Sequence, residues 1–205
     1  MKILRKINKG FILTVIVLVV LSIYLINLEK QRETDKKEIE KVCEQYIEFT
    51  NKYVVLPEQN QKLAQQISDA ELNKYKEELE TKLKEQMIDN KDAVDLQYQI
   101  LVSTLEGNFS KNRIVTNISR TITDKPKYEF DGDQVQVTFT AKLSQTEKYL
   151  ENDADTEEDA KTRNNSQNTY NDQINLQKVD GKWKIVYSNL QFYSSNGAAT
   201  GTIYM

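Results

Sequence analysis

The chain has 205 residues, 28 basic and 31 acidic, with one cysteine and no histidine. Without histidine there is no imidazole general base, no Ser-His or Cys-His nucleophile pair and no histidine-ligated zinc. A single cysteine excludes an internal disulfide, so a fold outside a membrane must be held by its core.

The first ten residues contain Lys2, Arg5, Lys6 and Lys9 and no acid, and Phe11 to Leu28 carries no charge. Eighteen helical residues at 1.5 Å each span about 27 Å, close to one bilayer hydrocarbon core. A secretory signal peptide has a shorter apolar core and a small-x-small cleavage site. Here the run ends Tyr24-Leu25-Ile26-Asn27-Leu28-Glu29, with no small residues for a peptidase. An uncleaved anchor is therefore the expectation, with a cleaved signal peptide and a buried globular helix as the alternatives. Lys30, Arg32, Lys36 and Lys37 balance the four basic residues before the span. A cytoplasmic N-terminus is still favoured, because the leading tail is short and long C-terminal domains translocate largely regardless of charge.

All 31 acidic residues lie beyond Leu28 and four of the 28 basic residues lie before it, which leaves the remainder at −7. That charge disfavours nucleic acid as a partner and suits a solvated surface. Heavy use of Lys, Glu, Asn, Gln and Ile resembles the usage of AT-rich bacteria.

From Thr34 the spacing of Ile39, Val42, Cys43, Tyr46, Phe49 and Tyr53 predicts a helix, capped by Thr34 and Asp35 and ended before Pro57. Ser68-Asp69-Ala70-Glu71 reads as a capping box opening a second helix along Leu72, Tyr75, Leu79 and Leu83. A third runs from about Lys91 to Leu105 and stops at Gly107. The period then falls to 2. Ile114, Thr116, Ile118 and Arg120 share one predicted strand face, and Val135, Val137, Phe139, Ala141 and Leu143 form the apolar face of another. Asp131-Gly132-Asp133 and Asp180-Gly181 are hairpin turns. Glu151 to Asn168, nearly free of large apolar side chains, reads as a long mobile loop. The tail holds a short segment able to pair as an edge, Thr202-Ile203-Tyr204-Met205.

The expected class is α+β: an N-terminal transmembrane helix, then about three helices on a curved antiparallel sheet of four to five strands. The corresponding organisation is a cytoplasmic basic tail at 1–10, the span at 11–28 and a juxtamembrane linker at 29–35. An extracytoplasmic α+β domain at 36–193 and a flexible tail at 194–205 complete it. Packed helices before such a sheet, ending in Val179-Asp180-Gly181-Lys182-Trp183-Lys184-Ile185-Val186, resemble the nuclear-transport-factor-2-like (cystatin-like) superfamily. That resemblance implies a fold and bitopic relatives among assembly components of conjugation and type IV secretion systems. It transfers no catalytic residue, because the enzymatic members use Asp and His in a cone-shaped pocket.

Three features bear on chemistry. The acidic run Asp153 to Asp159 invites a calcium reading, but the sixth and twelfth loop positions hold Glu158 and Asn164 instead of Gly and Glu, so no metal is expected. Cys43 lies on a helical apolar stripe, either as a buried thiol or as an intermolecular disulfide between two copies. Tyr46, Tyr98, Phe139, Trp183 and Tyr187, with Tyr53, Tyr128, Tyr170 and Tyr193, either form the core or line a concave pocket for an apolar ligand or peptide. Asn108, Asn117 and Asn164 open glycosylation sequons that matter only in a eukaryotic secretory pathway. No catalytic, cofactor-binding or metal residue is assigned, and the chain is not expected to be an enzyme. The expected role is a membrane-anchored interaction or assembly module of a cell-envelope complex. Its partners would be other envelope proteins or further copies. The alternatives are an extracytoplasmic receptor for a small apolar ligand or peptide, and an immunity-type protein meeting a secreted toxin.

Overall fold

The computed structural model of the chain describes residues 9–63, 67–152 and 156–192. The basic tail up to Asn8, Tyr193 and the tail 194–205, including its expected edge segment, lie outside the described residues. The elements are α1 (Lys9–Tyr53), α2 (Asp69–Gln86), α3 (Lys91–Gly107), β1 (Phe109–Ser110), β2 (Arg113–Ile122), β3 (Lys127–Asp131), β4 (Gln134–Tyr149), β5 (Lys161–Val179) and β6 (Lys182–Asn189). The chain divides into two compact units, Met1–Lys41 and Val42–Met205.

Helix α1 is unbroken. Residues 29–35, expected as a linker, are helical, and Thr34 is no cap: its hydroxyl donates to Lys30 O at 3.2 Å, one turn back. The reason is composition. No proline lies between Lys9 and Pro57, and the Glu, Lys, Gln and Arg that follow Leu28 are good helix formers, with Lys36 Nζ 2.7 Å from Glu33 Oε1. The run Val15 to Ile26 is exposed around its circumference, its large apolar side chains 43–61% accessible. Ser22 satisfies its hydroxyl on Leu18 O at 2.8 Å, so even this polar group needs no water. The helix is long and apolar enough to cross a membrane.

The second unit is α+β, with a curled antiparallel sheet of six strands, one more than expected, ordered β1-β2-β4-β5-β6 with β3 also on β4. Two helices follow α1 before the sheet, because the first expected domain helix is the end of α1 itself. The capping box is present: Glu71 N–H donates to Ser68 Oγ at 3.3 Å and Ser68 N–H to Glu71 Oε2 at 3.3 Å. At the end of α3 the stop is made by Asn108 rather than Gly107. Its N–H returns to Leu105 O at 3.0 Å, and its side chain donates to Val54 O at 2.7 Å.

Asp180 and Gly181, at φ 50° and 76°, form the two-residue turn between β5 and β6, and both need the left-handed region that Asp-Gly tolerates. Strand β5 begins at Lys161, so residues 161–168 are a strand and not the loop expected from their polarity. Gln145 to Tyr149 pair in register with Asn165 to Lys161, because ladder hydrogen bonding is a backbone property. A bulge between Val115 and Asn117 corrects the expected face of β2: Val115 and Ile118 are buried, whereas Thr116 is not.

Leu79, Leu83, Leu101 and Leu105 from the helices meet Val135, Val137, Ile174, Leu176 and Ile185 from the sheet as the buried core. Leu101→Ala is expected to destabilise the fold by about 2–5 kcal/mol, and Ser68→Ala by about 1 kcal/mol. Urea denaturation of the detergent-solubilised chain measures both; equal effects would contradict this packing.

Candidate functional site

The aromatic side chains proposed for a pocket separate in the structure. Tyr46 is fully buried and its hydroxyl lies 3.0 Å from Ser188 Oγ, while Ser188 N–H donates to Gln97 Oε1 at 3.2 Å. This polar knot ties α1, α3 and β6 together. Burial raises the Tyr46 hydroxyl above the ordinary tyrosine range, opposed in part by Ser188, so it stays protonated. Phe49 and Tyr53 continue along α1 with ring centroids 5.0 Å apart, and Tyr53 stacks on Tyr75 of α2 at 5.4 Å. The Tyr53 hydroxyl donates to Glu78 Oε1 at 2.5 Å. Phe139 and Trp183 are buried, Trp183 edge-on to Phe130 at 6.4 Å, whereas Tyr98 and Tyr187 are half-buried. These rings join helices and hairpins to the core. Cys43 is 4% exposed, so a disulfide to a second copy requires that it first be uncovered.

The acidic run is only partly described, with residues 153–155 outside the described set. Glu157–Asp159 form a single 3-10 turn in which Asp159 accepts from Thr156 N–H and Oγ1, both at 2.8 Å. Among the described residues, no group of three acidic, histidine or cysteine side chains is placed to hold a metal.

Two charged clusters that the sequence reading did not single out lie on the inner side of the sheet. The buried face of β4 runs Val135, Val137, Phe139, Ala141 and Leu143 and then turns polar at Gln145 and Glu147. Glu147, 1% exposed, is held between Arg113 Nε at 2.6 Å and Arg163 Nε at 2.6 Å, with Asn165 Nδ2 at 3.2 Å. Burial alone would raise its carboxyl; the hydrogen bonds and charges of Arg113 and Arg163 together outweigh it and hold it below the usual range.

The second cluster locks the chain after β6. Arg120 and Asp172 form a fully buried pair, Nε to Oδ2 3.1 Å. Gln191 closes it from the backbone: its N–H donates to Asp172 Oδ1 at 2.9 Å and its carbonyl accepts from Arg120 Nη2 at 2.5 Å. The Arg120 guanidinium also sits 4.9 Å from the Phe192 ring. Burial lowers the Arg120 guanidinium and raises the Asp172 carboxyl, each opposed by the other's charge. The signal for both clusters was parity: Glu147 falls in step with Val135, and Asp172 with Ile174 and Leu176.

Beside Arg120 an apolar groove of about 580 Å³ opens between α1 and β2, with Ile47, Val55, Leu56 and Tyr75 among its walls. None of these clusters pairs a nucleophile with a base. Glu147 is engaged by both of its arginines, whereas Arg120 Nε and Nη1 and Asp172 Oδ2 make no hydrogen bond among the described residues, so that pair is held by charge and by Gln191. No protein-family model and no curated protein matches the sequence.

Glu147→Gln is expected to cost up to about 3 kcal/mol at neutral pH, since two arginines lose the charge they enclose. The folded carboxyl is depressed from 4.5, so its contribution is present above that pH and is lost as pH falls through the lower folded value. The difference in urea midpoint between wild type and Glu147→Gln should therefore shrink below about pH 4.5. A difference constant with pH would contradict the arrangement.

Proposed function

We propose that the chain is a non-catalytic, membrane-anchored interaction and assembly module of a cell envelope, with its N-terminus cytoplasmic and its α+β unit outside. The observation that carries this reading is the run Val15 to Ile26. Its large apolar side chains are 43–61% exposed, which is untenable in water and suited to lipid. An anchor concentrates its domain at a surface, so modest contacts with neighbours become effective. The net charge of −7 beyond Leu28 favours protein over nucleic acid as the partner. The curled sheet behind helices agrees with the architecture of the nuclear-transport-factor-2-like superfamily, and that kinship stands as part of this proposal. So does a role among conjugation or secretion components.

Mild crosslinking in native membranes, followed by affinity purification, tests the assembly role. Adducts of defined mass, containing other envelope proteins or further copies, are expected. A strictly solitary monomer under those conditions would contradict it.

A further inference from the structure

Val135, Val137, Phe139 and Ala141 of β4 and Asp172, Ile174 and Leu176 of β5 are buried, so alternation turns the residues between them outward. Outward on β4 are Gln134, Gln136, Thr138, Thr140 and Lys142. Directly opposite on β5 stand Gln177, Asn175, Gln173, Asn171 and Thr169. None of the ten is buried. Lys142 alone among them is charged, although 29% of the chain is charged, a share that would place about three charges on such a face. Asparagine is depleted in strands, because its side chain competes for backbone hydrogen bonds, and on this face it gives nothing to the core. Solubility alone would be served as well by threonine, lysine or glutamate.

Neighbours hold these amides in fixed orientations. Thr140 Oγ1 donates to Asn171 Oδ1 at 3.4 Å, Gln173 Nε2 to Asn175 Oδ1 at 2.9 Å and Gln191 Nε2 to Asn189 Oδ1 at 3.0 Å. Each asparagine oxygen is thereby engaged, and the NH2 group is the donor that each side chain presents. Tyr187 of β6 is the register partner of Asn175 and is half-buried. A groove of about 360 Å³ opens over Thr138, Thr140, Asn171, Gln173 and Asn189, and a second of about 390 Å³ over Gln134, Gln136 and Asn175. Lys125 and Lys127 border the first and Glu129 and Asp131 the second, so charges of both signs frame a neutral floor.

A ligand matched to this floor is uncharged and donates and accepts hydrogen bonds along its length. An anionic polymer would find one cation among the ten positions, and a cationic polymer no carboxylate. A chain of neutral sugar rings fits: its hydroxyls both donate and accept, and its C–H faces stack on an aromatic ring such as Tyr187. We propose that the outward face of β4 and β5, with Tyr187, is a binding site for a neutral glycan strand laid along the row of amides. From Gln134 to Lys142 the row is about 27 Å long, enough for several rings, so contacts that are weak singly act together. Side chains already oriented on a paired sheet lose little freedom on binding. The site needs the sheet and not the membrane span, and so goes beyond the assembly role.

Saturation-transfer NMR on the full-length chain in a zwitterionic detergent, which has no sugar headgroup, tests this. Chitotetraose and cellotetraose are the neutral probes and a heparin tetrasaccharide the charged one. Transfer to at least one neutral tetramer is expected, and none to the heparin fragment. Asn175→Asp keeps the side-chain shape but removes the donor, and should weaken binding by about five- to tenfold with the urea midpoint unchanged. Asn171→Asp should act in the same direction, whereas Asn164→Asp, on β5 outside the row, should leave binding as it is. Absence of transfer to both neutral tetramers, or equal binding by wild type and both row variants, would overturn the proposal. Preference for the heparin fragment would overturn it too, and a dimer dissociated by Asn175→Asp would overturn it in favour of a second copy. Failure of the anchor or of the assembly role would leave this readout unchanged.

Discussion

Strand β4 is paired with β5 along its whole length and, on its other side, with β2 over residues 141–149 and β3 over 134–138. Four strands therefore depend on one register. A slip of one residue would turn Val135, Val137, Phe139, Ala141 and Leu143 from the core to solvent. It would also move Glu147 away from its arginines. The apolar part of this face fixes which way the sheet faces. The polar part fixes where its far end stops, because a buried carboxylate is tolerated only where both arginines reach it.

The two buried ionic groups divide the work of holding the sheet. Glu147 binds β2 and β5 across β4 through Arg113 and Arg163. Arg120 and Asp172 do the same further along and add the segment after β6 through Gln191. Replacing such pairs by apolar residues often leaves stability unchanged or improves it, whereas removing one partner alone leaves a buried charge uncompensated and is costly.

Local signals were legible in the sequence where one short stretch decides the outcome. Ser68 to Glu71, Asp180-Gly181 and the alternation from Val135 to Leu143 each act within a few residues, and each predicted its element. What the sequence hid was tertiary. Residues 29–35 read as a linker because charge replaced apolar residues, but nothing there breaks a helix. Residues 161–168 read as a loop because they lack apolar side chains, yet they pair with a partner strand that supplies the register. The aromatic residues could be placed on faces but not assigned to a pocket or to the core, because that choice depends on what packs opposite. Glu147 and Asp172 were missed because a charged side chain in an apolar parity looks like an interruption until its arginine is seen across the sheet.

The functional account rests on α1, where an exposed apolar run and a folded α+β unit share one chain. An anchor of this kind would concentrate the α+β unit at a membrane surface. Extraction of native membranes with alkaline carbonate tests the tether most directly. The account predicts that the full-length chain stays in the membrane pellet. Recovery of the chain in the soluble fraction, intact or cleaved beyond Leu28, would contradict it.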